Sequence, residues 1–429
     1  MDKSDTNWKH LMNSMSVRMI DNGKTYAAFT NKQLDKVFID IKNYDLHQIV
    51  DPMSGYGSSI LRCLNQNLNT FFVEINPPTF LWQTIKSPIY IDVFLLIIDN
   101  IINSSFFDKL PESEKAFECS NDFFTDYGKG LFRSLFVELK KYICENFQDY
   151  VEKADIITAA ITVPFSSRFS TFRNGDVAHL KRGGTVIYKQ YIEHFASYLK
   201  NLLAGLKEQS REYQKIGLGT GHYNTKHEII LGDCSDDKIF ANKTFDSMIT
   251  SPPYPNTRDY RKMFWPENII LELLDQEGLI QFLDEHNDPI GTNIVSGKKF
   301  EDTGYDSIKE FFKHLEDYNK TKKAIKDNKG YYIPYFMLYF DQLAKAYLNI
   351  EKHFADDFVG YIIVVNNMAR KKAVPVSEFL FELWSKLGYK VTFLNIDEVS
   401  HIGAKNPKTK GLSARHKETI IKISRGKYE

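Results

Sequence analysis

Short apolar runs, each followed by turn-forming residues, recur along the chain and alternate with longer segments that mix apolar and charged positions. The first run, residues 47–51, is followed by a glycine-bearing loop, a helical segment over 58–68 and a second apolar run over 70–74. This order predicts a βαβ unit and therefore a parallel sheet with a right-handed crossover. Two more helices are predicted ahead of this unit, over 8–19 and from about residue 31.

The same alternation resumes after each of two long interruptions. Further strands are predicted over 227–231, 244–249, 358–365, 390–396 and 418–423. Further helices are predicted over 131–150, 186–211, 335–354 and 376–387, and a polar, arginine-bearing loop over 164–184. We interpret the chain as an α/β protein with one doubly wound, mostly parallel sheet and two insertions. The expected divisions are a first part of the sheet domain over 1–85, a helical insertion over 86–215, and a second part over 216–429 with a smaller insertion at about 270–330.

Length and charge narrow the class of protein. A chain of 429 residues with 43% hydrophobic and 14% aromatic content can bury a sizeable core. The 55 basic and 55 acidic residues cancel, so any surface that binds nucleic acid is expected to be local. Basic residues are concentrated after residue 404, which taken alone indicates a solvated tail.

The spacing of the cysteines and the length of the apolar runs indicate the cellular compartment of the protein. Cys63, Cys119, Cys144 and Cys234 are scattered and form no C-x-x-C pair, which disfavours a disulfide framework or a zinc site. The first residues lack the features of a signal peptide, and the most apolar run, 93–98, is too short to cross a bilayer. We therefore expect a cytoplasmic protein whose chemistry requires no metal.

The loop after the first predicted strand, Asp51-Pro52-Met53-Ser54-Gly55-Tyr56-Gly57, contains glycines that allow tight turns against a ligand. Glu74 ends the next strand at about the 20-residue spacing of a ribose-binding carboxylate, unless it is a surface residue. An acidic residue at the strand end suits a cationic cofactor better than a pyrophosphate, so S-adenosylmethionine fits this loop better than NAD. Asp233 either accepts a hydrogen bond from the cofactor's adenine amine or belongs to an ordinary turn. The candidate cofactor-binding residues are Asp51, Pro52, Met53, Ser54, Gly55, Gly57, Ser58, Glu74, Ile75, Asp233 and Cys234.

A second loop, Ser251-Pro252-Pro253-Tyr254, follows the strand predicted over 244–249. Its two prolines fix two φ angles and remove two backbone donors, so the chain is expected to leave the sheet in a stiff, extended turn. Such a turn holds the carbonyls of Ser251 and Pro252 beside an aromatic ring, which suits the exocyclic amine of a nucleobase. The alternative is an ordinary proline turn that closes a strand. These four residues are the candidate catalytic residues.

Together, the Asp-Pro-x-x-Gly-x-Gly loop at Asp51 and the Ser-Pro-Pro-Tyr loop at Ser251 resemble the paired motifs of the DNA amino-methyltransferases. These enzymes use S-adenosylmethionine to methylate cytosine N4 or adenine N6, and a serine at the first position is similar to the cytosine-N4 branch. The similarity covers about residues 45–80, 227–270 and 335–425. It implies a seven-stranded methyltransferase sheet, Rossmann-like in form, in which the strands that end at Asp51 and Ser251 are neighbours.

The resemblance also implies a mechanism. A base flipped out of double-stranded DNA would donate hydrogen bonds from its amine to Ser251 Oγ and the Pro252 carbonyl, with Tyr254 stacked on the base. The methyl group would then pass directly to the nitrogen without a covalent enzyme intermediate. Two features depart from the family's pattern: Met53 stands where phenylalanine is usual, and a long insertion separates the second and third strands, so the place of a DNA-recognition domain does not follow from the family.

Basic side chains suggest where DNA would bind. Arg258, Arg261 and Lys262 follow the Ser-Pro-Pro-Tyr loop and suit phosphate contacts, although a solvated loop is an equal alternative. Arg168 and Arg173 lie in the predicted loop of the larger insertion and are further candidates. The expected partners are double-stranded DNA and a cognate restriction endonuclease or defence-complex subunit. The expected role is the modification component of a prokaryotic restriction-modification or defence system.

Three alternatives keep the same fold and cofactor loop: a DNA adenine N6-methyltransferase, an RNA base methyltransferase, and an inactive cofactor-binding scaffold. Methylation of cytosine at C5 requires a nucleophilic thiol, typically within a Pro-Cys pair in enzymes of that type. None of the four cysteines follows a proline, so this chemistry is disfavoured.

Overall fold

The structure is a computed structural model. It describes residues 31–110, 116–118, 126–174, 177–180, 185–215, 218, 225–255, 264–281, 289–291, 299, 303–320, 332–370, 372–399 and 416–428. The helix predicted over 8–19 lies outside these residues, as do Cys119 and most of the basic segment after residue 404.

Strands and helices alternate through most of the described chain. The strands are β1 (Gln48–Asp51), β2 (Asn69–Glu74), β3 (Ala116–Glu118), β4 (Thr171–Asn174), β5 (Val177–Leu180), β6 (Thr185–Ile187), β7 (His227–Leu231), β8 (Phe245–Thr250), β9 (Phe354–Val365), β10 (Met368–Ala369), β11 (Lys372–Ala373), β12 (Lys390–Val399) and β13 (His416–Arg425). The helices are α1 (Asn31–Ile41), α2 (Ile60–Asn65), α3 (Pro77–Lys86), α4 (Ile91–Asn103), α5 (Asp126–Asn146), α6 (Ala154–Ser170), α7 (Tyr188–Lys215), α8 (Trp265–Gln276), α9 (Asp306–Asn319), α10 (Tyr332–Glu351) and α11 (Val376–Lys386). Within the described residues, no helix has the length and apolar character needed to cross a membrane.

One seven-stranded sheet organises the molecule, in the order β12-β13-β9-β8-β1-β2-β7. Strands β7, β2, β1, β8 and β9 are parallel to one another, whereas β13 is antiparallel to both β9 and β12. These seven are the strands that the apolar runs predict, and the predicted fold class, an α/β protein with a doubly wound, mostly parallel sheet, is confirmed. From β1 the chain continues through β2 on one side, while β8 and β9 lie on the other. The strand order therefore reverses between β1 and β8, the position at which open α/β sheets bind ligands.

Both faces of the sheet are buried, as expected for parallel strands covered by helices. On β1, Ile49 belongs to the hydrophobic core on one face and Val50 to the core on the other. Because successive side chains of a strand point to opposite faces, this short strand connects the two cores. The first core includes residues of α3–α8, and the second includes residues of α9–α11.

The prediction of a loop over 164–184 is wrong for much of this segment. Helix α6 continues through Pro164 to Ser170, and β4 and β5 then form an antiparallel pair. The helix continues because its preceding turns are apolar and buried: Ile157, Ala160, Ile161 and Val163 are at most 3% exposed. A proline inside a helix removes one backbone hydrogen bond, a cost that this packing offsets.

The basic C-terminal segment is not a solvated tail where the structure describes it. Strand β13 pairs with β9 and β12. Lys422 Nζ lies 2.7 Å from Asp40 Oδ2, and Arg425 Nη1 lies 3.0 Å from Glu351 Oε1. Lys427 Nζ lies 3.1 Å from Asp357 Oδ2. These cations therefore tie the strand to its surroundings, and charge alone gave the wrong interpretation.

Candidate active site

Two loops lie side by side at the carboxyl edge of the sheet. Strand β1 ends at Asp51, and β8, which leads into Ser251, is hydrogen-bonded directly to β1, with Val50 opposite Met248. The expected pairing of these two strands is thereby confirmed. The two motifs, 200 residues apart in sequence, meet because parallel strands end at the same edge. We call residues 51–59 the glycine loop and residues 251–255 the proline loop.

Backbone geometry explains the glycines of the glycine loop. Gly55 and Gly57 have φ angles of 53° and 68°, in the region that side chains disfavour. The loop is tied to the next strand, since Ser54 N donates to Val73 O at 2.9 Å. Helix α2 begins at Ile60, two residues after the predicted start, so Ser58 and Ser59 belong to the loop and are buried there. Pro52 is buried and Met53 packs against the core that contains Val50.

Asp51 is fully buried at the base of the glycine loop, with 0% of its surface exposed. Its Oδ1 accepts a hydrogen bond from the N–H of Met53 at 3.2 Å. Burial raises the pKa of this carboxyl to about 7, although the nearby Thr250 hydroxyl and the Met53 N–H oppose the shift. Within the described residues, Oδ2 has no hydrogen-bond partner. A buried acceptor without a donor is costly, so Asp51 is suited to a cationic or N–H-bearing ligand.

Glu74 provides a second buried carboxyl at the end of β2. Its Oε1 accepts from the N–H of Asn76 at 2.8 Å. Burial raises its pKa to about 7, and hydrogen bonds from the backbone N–H groups of Asn76 and Gly55 partly offset the shift. Glu74 thus links the strand end to the glycine loop and is not a surface carboxylate. Ile75, partly exposed, follows it.

Asp233 and Cys234 follow β7, next to β2 in the sheet. Asp233 Oδ1 accepts from both the N–H and the hydroxyl of Ser235, each at 2.8 Å, which is the ordinary turn that the sequence left open as an alternative. Gly232 N donates to Glu74 O at 3.0 Å, so this turn is held beside Glu74. Cys234 is buried, and burial raises the pKa of its thiol, which makes it inert.

The proline loop is clamped from two neighbouring elements. Tyr339 on α10 donates its hydroxyl to Pro253 O at 3.0 Å, and Asn367, after β9, donates Nδ2 to Pro255 O at 3.1 Å. Ser251 Oγ lies 3.1 Å from Tyr254 OH, so the ring lies beside the first residue of the loop. No hydrogen bond within the described residues ends on the Pro252 carbonyl. The clamps therefore hold the loop at Pro253 O and Pro255 O and use neither Ser251 Oγ nor Pro252 O.

Sequence reasoning missed Tyr339 and Asn367. Asn367 gave a weak signal because it follows a predicted strand, whereas Tyr339 is one of several aromatic residues on a buried helix. Of the basic candidates, Arg168 lies in α6 and Arg173 in β4. Arg258, Arg261 and Lys262 lie outside the described residues.

Gly57 provides a stability test of the glycine loop. A Cβ at this position would lie 2.6 Å from Gln83 Nε2, and Gln83 is fully buried, whereas a Cβ at Gly55 would meet nothing within 4 Å. We expect Gly57→Ala to lower the free energy of unfolding by about 2–4 kcal/mol and Gly55→Ala by about 1 kcal/mol, from its φ angle alone. Urea denaturation of both variants measures the difference, and equal losses would contradict the packing described here.

Comparisons with known proteins add little to this geometry. No protein-family model matches the chain, and no curated protein matches it. Among solved structures, the rRNA methyltransferase AviRa from Streptomyces viridochromogenes aligns over 98% of this chain and 96% of that one, with 9% identity and a TM-score of 0.29. An alignment of that quality carries no argument about function.

Proposed function

We propose that the protein is an S-adenosylmethionine-dependent methyltransferase that modifies the exocyclic amine of a flipped base in DNA, with cytosine N4 as the target. The observation that carries the proposal is the position of two loops at the point where strand order reverses. One loop has two glycines with positive φ and lies beside two buried carboxyls, and the other has fixed acceptors beside an aromatic ring. The first suits a cationic methyl donor, and the second suits an amine.

The residues of the glycine loop fit S-adenosylmethionine. Asp51 has a buried oxygen without a donor, which would accept from the ammonium group of the methyl donor. Glu74, at the end of the adjacent strand, would accept from the ribose hydroxyls. Gly55 has a positive φ and open space where a Cβ would lie, so a ligand can approach the main chain there, whereas Gly57 lets the loop pack against Gln83.

The proline loop would activate the acceptor nitrogen. The amine of cytosine is conjugated with its ring and is a poor nucleophile. Two hydrogen bonds, to Ser251 Oγ and Pro252 O, would draw the nitrogen toward tetrahedral geometry and free its lone pair, while Tyr254 stacks on the base. Bound S-adenosylmethionine supplies a methyl carbon whose bond to the cationic sulfur breaks, with the electron pair left on sulfur, as the bond to nitrogen forms and the amine loses one proton to water.

Cytosine N4 is preferred over adenine N6 because Ser251 stands first in the proline loop, as in the cytosine branch of the family that the sequence resembles. The same resemblance supports double-stranded DNA as substrate and a role as the modification component of a prokaryotic restriction-modification or defence system. We propose that basic residues around Arg258 and in the larger insertion contact the DNA backbone.

Tyr339 tests whether the clamp on the proline loop matters for the reaction. Tyr339→Phe removes the hydroxyl that donates to Pro253 O, so we expect the methyl-transfer rate to fall by about 5- to 50-fold through misplacement of the acceptors. S-adenosylmethionine affinity should remain unchanged, since the lost hydroxyl donates to the proline loop. Phe340→Leu, next to it on α10, is the control for general loss of packing. An unchanged rate in Tyr339→Phe would show that the clamp is dispensable.

Genomic DNA from cells that express the protein tests the proposal. After digestion to nucleosides, mass spectrometry should detect N4-methylcytosine with the wild type and none with Ser251→Ala. N6-methyladenine instead would keep the mechanism and change the target base. If neither base is modified in DNA while methylated bases appear in RNA, the DNA proposal is wrong and the RNA alternative holds.

A further inference from the structure

Lys86, the last residue of α3, occupies an unusual position for a cation. It is 1% exposed, and all ten residues of its helix are buried. Among the lysines and arginines whose side chains the structure describes, Lys86 alone is buried. Lysine is almost never fully buried unless it is paired, so its surroundings need an explanation.

Among the described residues, no acidic side chain forms an ion pair with Lys86. Its Nζ has no hydrogen-bond partner within the described residues. Instead it lies 4.9 Å from the ring centroid of Tyr56 and 5.6 Å from that of Trp82. The faces of these rings attract a cation, but this attraction does not replace hydrogen bonds or a counter-charge. Burial accordingly lowers the pKa of Lys86 to about 7, because the charged form loses its hydration.

The aromatic contacts place Lys86 beside the glycine loop. Tyr56 stands between Gly55 and Gly57, and its ring lies 6.0 Å from that of Trp82. The indole Nε1 of Trp82 is a second buried donor without a hydrogen-bond partner in the described chain. One turn of α3 therefore presents an ammonium and an N–H donor, neither with an acceptor, behind the loop that would hold the cofactor.

The charges around the glycine loop match a particular ligand. Asp51 and Glu74 are buried carboxyls, and Lys86 is a buried cation that pairs with neither of them. S-adenosylmethionine carries two cationic groups, the ammonium and the sulfonium, and one anionic group, the α-carboxylate. We infer that Lys86 binds the α-carboxylate of the methyl donor, with the Trp82 indole as a second donor. This inference rests on the proposed function, because it names the partner of the one anionic group of the proposed cofactor.

Binding of a carboxylate favours the charged form of Lys86, so the complex should take up a proton at pH 8. Titratable groups lie on several elements that pack against α3, among them His227 and Glu228 on β7. Tyr56 faces it from the glycine loop, and Tyr213 donates to its backbone carbonyl at 2.6 Å. Glu74 lies on β2, which packs against α3, and Glu267 on α8 accepts from Ser167 at 2.7 Å. Asp51, which would meet the ammonium group, favours proton release on binding, so proton uptake must be compared with a Lys86 variant.

Isothermal titration calorimetry tests the inference with two ligands, S-adenosylmethionine and its decarboxylated form, which lacks only the carboxylate. We expect Lys86→Met to weaken binding of S-adenosylmethionine by about 10- to 100-fold, as loss of one charge-assisted hydrogen bond predicts. Decarboxylated S-adenosylmethionine should bind the wild type and Lys86→Met equally. Titrations at pH 8 in buffers with different ionisation enthalpies should show proton uptake with the wild type that Lys86→Met lacks. Lys207→Met, which removes an exposed ion pair with Asp99, is the matched control.

The outcomes separate this inference from the proposed function. Equal affinity of the wild type and Lys86→Met for S-adenosylmethionine would overturn the role of Lys86 and leave the proposed function standing. Failure of the wild type to bind either ligand would overturn the proposed function itself. Thermal unfolding guards against misfolding: removal of an unpaired buried cation should leave the ligand-free variant at least as stable as the wild type, whereas a purely structural role predicts a lower melting temperature.

Discussion

Replacement of Ser251 by alanine is expected to lower the rate of methyl transfer by about 10²- to 10³-fold and to leave S-adenosylmethionine affinity unchanged. The change removes one of the two acceptors for the amine, and loss of one positioned hydrogen bond at a reacting group has this magnitude. Cofactor binding is unaffected because Ser251 belongs to the proline loop and the cofactor carboxyls belong to β1 and β2. Single-turnover transfer from labelled S-adenosylmethionine measures the rate, and calorimetry measures the affinity.

Ser247 lies on β8, the strand that leads to Ser251, and offers a control. It is fully buried in β8, and its Oγ has no hydrogen-bond partner in the described part of the chain. Ser247→Ala removes a hydroxyl of the same size four residues before the proline loop, and the transfer rate should stay within about twofold of the wild type. If Ser247→Ala and Ser251→Ala lose activity to the same extent, the effect of Ser251 is structural and its catalytic role is wrong.

Replacement of Asp51 by asparagine is expected to weaken S-adenosylmethionine binding by about 10²-fold or more. Asparagine keeps the shape of the side chain and the hydrogen bond from Met53 but removes the charge that would meet the ammonium group. Loss of one partner of a buried charge pair costs about 2–5 kcal/mol of binding free energy. Calorimetry at pH 7.5 measures the change, and an affinity within about threefold of the wild type would show that the methyl donor does not bind at Asp51.

The stability of ligand-free Asp51→Asn should change with pH in a defined direction. Burial raises the pKa of Asp51 from its usual value of 3.8 to about 7, so the folded protein keeps a proton that the unfolded chain has lost between these pH values. The stability contributed by this group is therefore present below about pH 4 and is lost as the pH rises to about 7. Asp51→Asn removes this loss, so its melting temperature should fall less between pH 5 and pH 8 than that of the wild type.

Much of the fold follows from local sequence patterns. The seven strands of the main sheet are apolar runs bounded by turns. These runs can be recognised in the sequence because parallel strands are buried on both faces. The family resemblance predicted that the strands ending at Asp51 and Ser251 are neighbours. The pairing of β1 with β8 confirms this prediction. Glu74 and Asp51 were predicted as ligand-binding residues from their positions at strand ends. Their burial and raised pKa values come from packing and have no local signature.

What the sequence did not reveal depends on contacts between distant segments. Tyr339 and Asn367 clamp the proline loop across 86 and 112 residues of chain. Lys86 ends α3, where no helix is predicted from the sequence, and only the packing of α3 within the interior shows that the cation is buried. The prediction of a loop over 164–184 was wrong for a related reason. Its proline and polar residues indicated a loop, whereas the apolar turns before them are buried and the helix continues.

The central claim is that the two loops transfer a methyl group to the amine of a nucleobase. The most direct test incubates the purified protein with S-adenosylmethionine that carries a deuterated methyl group and with DNA and RNA in one tube, followed by mass spectrometry of the separated nucleosides. We expect deuterated N4-methylcytosine from the DNA. This product should be absent with Ser251→Ala and present with Ser247→Ala. Deuterium on no nucleoside, although the protein binds the methyl donor, would contradict it.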